Sequence, residues 1–587
     1  MTREDRILLI ALLASLFIIL TCPPSTAGVI SPELDVVLRK LIPPEEVSVI
    51  INLTDKANIV SIKDKDKHTR REKIVKTLQV KAVGTQGPLK RFLQARNAKR
   101  MIPFWVRNAI AATVPASVVN ELVSFPGVES IELDAVIYAP PVVPAAAAPE
   151  EWNITAVKAP DLWNLGFTGE GVVVANMDTG VDLGHPDLQP KWRGGANSWF
   201  NPYSDPANAQ YCNHPSCCSN PNCPDPSLSA CVACSCELSA GTPCDFNGHG
   251  TGTMGVMVGG DAGGTSIGVA PGAKWIAVKI FDDSNPPSAP SSIILQGFQW
   301  LIGLPADSAP DVVNNSWGFD TVNDCNNMFQ GDIDTLKAVG IAVVFSAGNS
   351  GPNPSTSVSP ANNVGAFAVG ATDIYNNIAY FSSRGPSACD SSSIFPHVVA
   401  PGVSIKLADL QLVPSPPSQP AYIYDSGTSF SAPHVAGAMA LLAGTFPSLT
   451  PEQMETAFEQ SALPLGDIPN NTYGYGLLDV KFAYIYAFNH FNNPVALVRN
   501  TTIVATYSHI QTAYNNCSNG DVIVMQATVF AETAFAESPD FNSPLNIAVG
   551  FQGGYDPSFG SQTGFSTIHG TLTISNGTVT VSNLILQ

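Results

Sequence analysis

The chain has 587 residues, 45% of them hydrophobic, with a mean hydropathy of +0.12 and a net charge of −19. That length predicts about three to five domains, and the composition excludes a disordered or collagen-like chain. Residues 1–150 carry 19 Lys and Arg against 15 Asp and Glu, while the remaining 437 carry 10 against 33, so the acidic main body repels phosphate backbones and excludes nucleic acid as a partner.

The N-terminus reads as an export signal. Met1-Thr-Arg-Glu-Asp-Arg6 precedes an apolar run, Ile7 to Leu20, of 14 residues. A spanning helix needs roughly 20. Small residues at Ser25 and Ala27 mark cleavage after Ala27, giving a signal peptide over 1–27. An uncleaved anchor is the rival reading, and Thr21 before Cys22 is a poor lipoprotein site. The expectation is a secreted protein with no stable membrane insertion after signal cleavage.

Residues 28–145 alternate strand-like and helix-like patterns. Val47–Leu53 and Ala109–Val114 read as strands, Lys63 to Arg100 as a basic helical stretch, Pro115–Val123 as a short helix and Val128–Asp134 as an alternating strand. This predicts a small α+β unit. Pro140 to Pro149 has no periodicity and reads as an exposed, cuttable linker.

From 146 to 490 short apolar runs without strict alternation are separated by helical patterns. Val172–Met177, Trp275–Ile280, Asp311–Asn314, Ile341–Phe345 and Gly365–Val369 read as strands covered on both faces. The fold class is therefore α/β, a mainly parallel sheet with helices on both faces. Eight of the 12 Cys fall between Cys212 and Cys244. In an exported chain such a dense, even set reads as a disulfide-stapled loop. Zinc is the alternative, through the pair Cys231-x2-Cys234, but no second Cys-x2-Cys accompanies it. With Cys22 removed, at least one of Cys325, Cys389 and Cys517 should stay unpaired. From 491 to 587 helical patterns fade, and Thr571–Ser575 and Thr578–Ser582 predict a β-rich tail.

Three segments of the sheet region carry residues for acyl transfer. Asp178 closes an apolar strand, His249 sits in Asn247-Gly-His-Gly-Thr251, and Ser429 stands at the start of a small-residue helix. A Ser hydroxyl needs a base to take its proton, His suits that task, and a carboxylate fixes the imidazole's tautomer and charge. Asn349, in Ser346-Ala-Gly-Asn-Ser-Gly351 after another apolar strand, offers an amide to an oxyanion, beside the Ser429 backbone N–H. Each segment alone is more often structural; their weight comes from occurring together.

Asp178-Thr-Gly, His249-Gly-Thr and Gly427-Thr-Ser429-x-Ser-Ala-Pro-His-Val-Ala-Gly, with Ala347-Gly-Asn349 between, resemble the subtilisin-like serine peptidases in residues and in chain order. Val313-Asn-Asn-Ser-Trp-Gly318 is most similar to the bacillopeptidase F-like subgroup. The resemblance implies catalytic Asp178, His249 and Ser429, with Asn349 in the oxyanion hole. It also implies pocket walls from Ser316, Trp317, Gly318, Ala347 and Gly348. Residues 28–145 then resemble an inhibitory propeptide, cut off by the enzyme itself within Tyr138–Trp152. The implied activity is a secreted serine endopeptidase acting on proteins or peptides; an inert surface or adhesion protein on the same scaffold is the alternative. No cofactor is implied for the chemistry. A structural calcium is an open reading: Asp187 matches one acidic ligand, yet Gly260–Thr265 is poor in side-chain oxygens except Asp261. The tail from Pro494 resembles the opening turns of a right-handed parallel β-helix, with a β-sandwich as the alternative, and could attach the enzyme to a cell surface.

Overall fold

A computed structural model describes residues 28–587 apart from 43, 65, 141–142, 145–150, 206–207, 209–240, 285, 412–420, 531–532 and 543–545. The export signal and most of the Cys-rich insertion lie outside the described residues. Two compact units result: one runs up to Val136 and includes Pro290–Ala306, the other holds Ile137–Ala289 and Asp307–Gln587.

The first unit is a five-stranded sheet, in spatial order Val29–Ile30, Val128–Leu133, Glu46–Leu53, Ala109–Pro115 and Lys99–Phe104, with helices over a core that includes Val49, Ile51, Leu93, Ile110 and Leu122. The basic stretch expected to be helical from Lys63 to Arg100 is two helices, Lys67–Thr85 and Gly87–Ala95, followed by a strand. Pro88 explains the break, since it has no N–H to continue the first helix and fits the first turn of a second. The helix Ser291–Gly303, which the sequence places with the later sheet region, joins this unit. Buried Arg71 donates to the carbonyls of Leu301 at 2.7 Å and Ile302 at 2.9 Å, close to the helix's C-terminal end. Burial pushes its guanidinium down to about 10. Asp134 accepts from the Ser292 N–H and hydroxyl and pairs with Arg100 at 3.0 Å.

The second unit is built on seven strands: β1 (Val173–Asp178), β2 (Trp199–Phe200), β3 (Lys274–Lys279), β4 (Val312–Asn315), β5 (Ala342–Ser346), β6 (Phe367–Thr372) and β7 (Val398–Pro401). They lie in the order β7-β6-β5-β4-β1-β3-β2, and every pairing is parallel. Residues of β4, β5, β6 and β7 are buried throughout, as strands covered on both faces must be. The α/β class expected from the sequence is the one observed. Helices α1 (His249–Val258) and α2 (Thr428–Thr445) are buried along nearly their whole length. Glycines let them approach: a Cβ at Gly250 would stand 2.1 Å from the Gly180 carbonyl, and one at Gly437 2.7 Å from Val269.

One further segment departs from the sequence reading. Within the linker expected over Pro140–Pro149, Val143–Pro144 pairs antiparallel with Asp425–Ser426 of the strand Tyr422–Ser426. In the tail, Val522–Gln526, Ala548–Tyr555 and Thr578–Ser582 stack in parallel, as do Asp540–Asn542 with Thr573–Asn576 and Ser566–Ile568 with Leu584–Leu586. Val495–Arg499 pairs antiparallel with Thr502–Tyr507 and with Val522–Gln526, so an antiparallel hairpin opens the tail and the parallel ladders, the pairing of stacked coils, follow it. Gly577 turns one corner at φ +103°, where a Cβ would meet the Ile547 carbonyl at 2.4 Å. Cys325 and Cys389 form a disulfide and Cys517 is free, in keeping with the odd count. Cys244, at the end of the Cys-rich insertion, is also disulfide-bonded. No helix of the described residues is long and apolar enough to cross a membrane.

Candidate active site

Asp178, Ser316 and Asn349 stand at or just beyond the carboxyl ends of β1, β4 and β5. Open parallel sheets place their ligand crevices at that edge. His249 opens α1 and Ser429 is the second residue of α2, so five of the nine residues singled out from the sequence converge from separate elements of the second unit.

Asp178 and His249 form a buried pair. The His249 Nδ1 lies 2.8 Å and 3.0 Å from the two carboxylate oxygens, and both side chains are 1% exposed. The carboxylate also accepts from the Thr179 N–H at 2.7 Å, which fixes its plane. A carboxylate only accepts, so Nδ1 carries the proton and Nε2 is left as the basic nitrogen. Among the described residues Nε2 has no hydrogen-bond partner. Burial lowers the imidazole's pKa, but the Asp178 charge and hydrogen bond, with Asp245 and Asp425 beyond, outweigh it, and the net direction is up.

Ser429 is held by its backbone. Pro433 has no N–H, so within α2 the Ser429 carbonyl lacks the donor four residues on. The Ser316 hydroxyl replaces it at 2.7 Å. The Ser429 hydroxyl itself donates weakly, at 3.4 Å, to the Ser316 carbonyl. Ser316 in turn accepts from the Asn314 amide at 3.0 Å, and Asn314 donates to Asn176 of β1 at 3.0 Å. The Asn176 amide donates to the Gly250 carbonyl at 3.1 Å and to the Thr253 hydroxyl at 2.9 Å. One buried chain of side-chain hydrogen bonds therefore connects the helix of His249 with the backbone of Ser429. The sequence reading missed Asn176 and Asn314 as parts of it; an Asn within each of two apolar strand runs was the available signal, because buried amides need partners.

Asn349 points its amide by tying back its oxygen. The Oδ1 accepts from the Thr428 N–H at 3.0 Å and hydroxyl at 2.8 Å. The Nδ2 and the Ser429 N–H then flank one small space: a Cβ built on Gly427 would lie 3.6 Å from the first and 3.7 Å from the second. Any side chain at 427 would intrude where the two donors converge.

A cleft of ≈ 180 Å³ opens beside these groups, lined by Trp317, Gly318, Gly348, Asn349, Thr428 and Ser429 among others. Of the expected walls, Ser316 and Ala347 do not line it: both are buried, Ser316 beneath Ser429 and Ala347 in the core. Trp317 shows little surface because its ring packs edge-on to Phe329 and Phe345. Tyr138 and Pro140 of the same unit also line the cleft.

Residues 169–476 match the subtilase family. Among curated relatives, bacillopeptidase F of Bacillus subtilis (strain 168) is 34% identical over 451 residues, 71% of this chain and 28% of that protein, so the chain spans little more than a quarter of that relative's length. Subtilisin E of Bacillus subtilis (strain 168) is 31% identical over 71% of this chain and 91% of its own length. Subtilisin Savinase of Lederbergia lenta is 32% identical over 57% of this chain and 97% of its own. By the family match and by these similarities, the chain belongs to the subtilase family of serine peptidases.

Proposed function

We propose that the protein is a secreted serine endopeptidase that works through an acyl-enzyme on Ser429. The observation that carries this reading is the buried Asp178–His249 pair with its Nε2 left open, its ring 5.7 Å from that of Phe430, the residue after Ser429 at the start of α2. Nε2 takes the Ser429 proton as the hydroxyl oxygen bonds to the substrate carbonyl carbon. The Asn349 amide and the Ser429 N–H receive the oxyanion. His249 then passes the proton to the amide nitrogen as the C–N bond breaks, and a water repeats the sequence to release the acid. The Ser429 hydroxyl must leave its 3.4 Å contact with the Ser316 carbonyl to engage Nε2, and free enzymes commonly hold catalytic contacts loosely. Casein hydrolysis that a serine-directed phosphonate abolishes is the expected result; a purified, processed protein that neither hydrolyses casein nor takes up the phosphonate would sink the proposal.

The leader over 28–145 acts as the enzyme's own inhibitor until the enzyme cuts it within Tyr138–Trp152. Support comes from the segment between: Tyr138 and Pro140 line the cleft with Ser429, and Val143 pairs with Ser426, three residues before the nucleophile. Asn349→Ala should slow this self-processing by about 10²–10³ without abolishing it, because the Ser429 N–H still serves the oxyanion. A time course of precursor loss by mass spectrometry measures it, and an unchanged rate would remove Asn349 from the oxyanion site.

The proposed chemistry uses no cofactor, and we read Asp187 as a hydrogen-bond acceptor that ties Ala262 to Tyr422 rather than as a calcium ligand. Its Oδ1 accepts from the Ala262 N–H at 2.7 Å and its Oδ2 from the Tyr422 hydroxyl at 2.5 Å, so both oxygens are engaged. A cation already stands nearby: Lys406 lies 4.7 Å above the Tyr422 ring and 3.2 Å from Glu151. Chelator should leave the half-life at elevated temperature within about two-fold, whereas Tyr422→Phe should destabilise by about 1–3 kcal/mol by stranding a buried carboxylate oxygen. Thermal melts with and without EDTA check both; a melt that falls with EDTA in the wild type would restore the ion.

A further inference from the structure

A buried lysine stands beside the Asp178–His249 pair. Lys279 closes β3, is 0% exposed, and lies opposite Asp178 in the register of β1 with β3. Its ammonium donates at 2.6 Å to the Thr179 carbonyl and at 2.6 Å to Oδ1 of the buried Asp283. β1 ends at Asp178 and the chain turns at Gly180, φ +123°, so the Thr179 carbonyl lies past the ladder that pairs β1 with β3. An apolar side chain would be buried there at less cost than a charge. What the ammonium adds is a donor on a stem long enough to reach beyond the strand end.

Thr179 is the joint through which that donor reaches the site. Its N–H donates to Asp178 Oδ1 at 2.7 Å, and its hydroxyl accepts at 2.9 Å from the Gly250 N–H, next to His249 in the first turn of α1. The Ile280 N–H, one residue beyond Lys279, donates to the Asp178 carbonyl at 2.9 Å. The polar groups of the fully buried Thr179 are thus tied to the acid, to the helix of the base and to Lys279. Released at its carbonyl, Thr179 can tilt, and its N–H then moves away from the carboxylate oxygen that it orients.

We infer that Lys279 is a positioning residue of the peptidase: by holding the Thr179 carbonyl it keeps the Asp178 carboxylate in the plane that faces His249 Nδ1. This rests on the serine peptidase reading above. Lys279 acts through Thr179 and not on the reacting atoms. Its loss leaves the Asp178 charge in place and alters only the aim of the carboxylate, and a misplacement of about 1 Å near a reacting centre costs on the order of 10²-fold in rate.

The test compares the processed wild type with Lys279→Met, Lys279→Gln and Asp283→Asn. The substrate is an internally quenched peptide containing a bond that the wild type cuts in casein, and active sites are counted by titration with a serine-directed phosphonate. Lys279→Met should lower kcat about 10–100-fold with KM within about 2-fold, because the aim of the acid matters in the transition state and not in substrate binding. Lys279→Gln, shorter yet still polar, should lose about 10-fold or more, and it keeps the test valid should the methionine variant misfold. Asp283→Asn keeps an acceptor for the ammonium and leaves its bond to Thr179, so kcat should stay within about 3-fold even where the melting temperature falls. Lys279 variants that melt lower but keep the wild-type kcat would show an ion pair that serves stability alone and overturn the inference, as would an equal loss of kcat in Asp283→Asn. A wild type that cleaves nothing and takes no label overturns the peptidase reading as well.

Discussion

Ser429→Ala should leave the leader joined to the enzyme. Expressed in a host without extracellular proteases, the variant should accumulate as a precursor about 13 kDa heavier than the mature wild type, a difference of roughly 120 residues. The substitution removes only a hydroxyl whose contact is a 3.4 Å bond to the Ser316 carbonyl. The stronger tie, from the Ser316 hydroxyl to the Ser429 carbonyl, uses backbone and survives. Folding should therefore be intact, while acylation is lost and rates fall on the order of 10⁶, as nucleophile deletions do in subtilisin. Intact mass and N-terminal sequence read the outcome directly. A Ser429→Ala protein processed at the normal bond in that host would show that another protease makes the cut.

What the sequence discloses about this molecule depends on the range of the interaction. Strand and helix patterns are local, so β1, β3, β4 and β5 fall within a residue or two of where apolar runs place them. The residues assigned to chemistry could be read because their neighbours are constrained: glycines at 180 and 250 must be glycines for two backbones to meet. Contacts between distant segments were not legible. Nothing near Arg71 announces that its guanidinium will close on carbonyls of Leu301 and Ile302, and so draw Ser291–Gly303 into the first unit. The family resemblance implied that Ser316 is part of the pocket wall; the missing N–H of Pro433 instead turns its hydroxyl onto the Ser429 carbonyl. That requirement arises over a hundred residues away in the chain.

Asp178→Asn should preserve the site's geometry and still cut the self-processing rate by about 10⁴. The reason is the Thr179 N–H, which donates to Oδ1 at 2.7 Å and must keep an oxygen there. The amide nitrogen of the variant then takes the place of Oδ2, 3.0 Å from His249 Nδ1. The retained oxygen, 2.8 Å from Nδ1, must then serve both Nδ1 and the Thr179 N–H while an amide N–H faces Nδ1, which favours the tautomer with Nδ1 as acceptor and the proton on Nε2, the atom that has to receive the Ser429 proton; the imidazolium also loses its counter-charge. The pH dependence should shift as well. In the wild type the Asp178 charge raises the His249 pKa, so the neutral base is lost as pH falls through a value above the usual ~6.5. Without that charge, burial presses the pKa down against only Asp245 and Asp425, and the acid limb of the residual rate should move to lower pH. Precursor loss followed over days by mass spectrometry across pH 5–9 measures rate and limb together, with circular dichroism to confirm the fold. A variant that processes within 10-fold of the wild type, or whose acid limb rises, would mean that Asp178 does not set the tautomer and charge of His249.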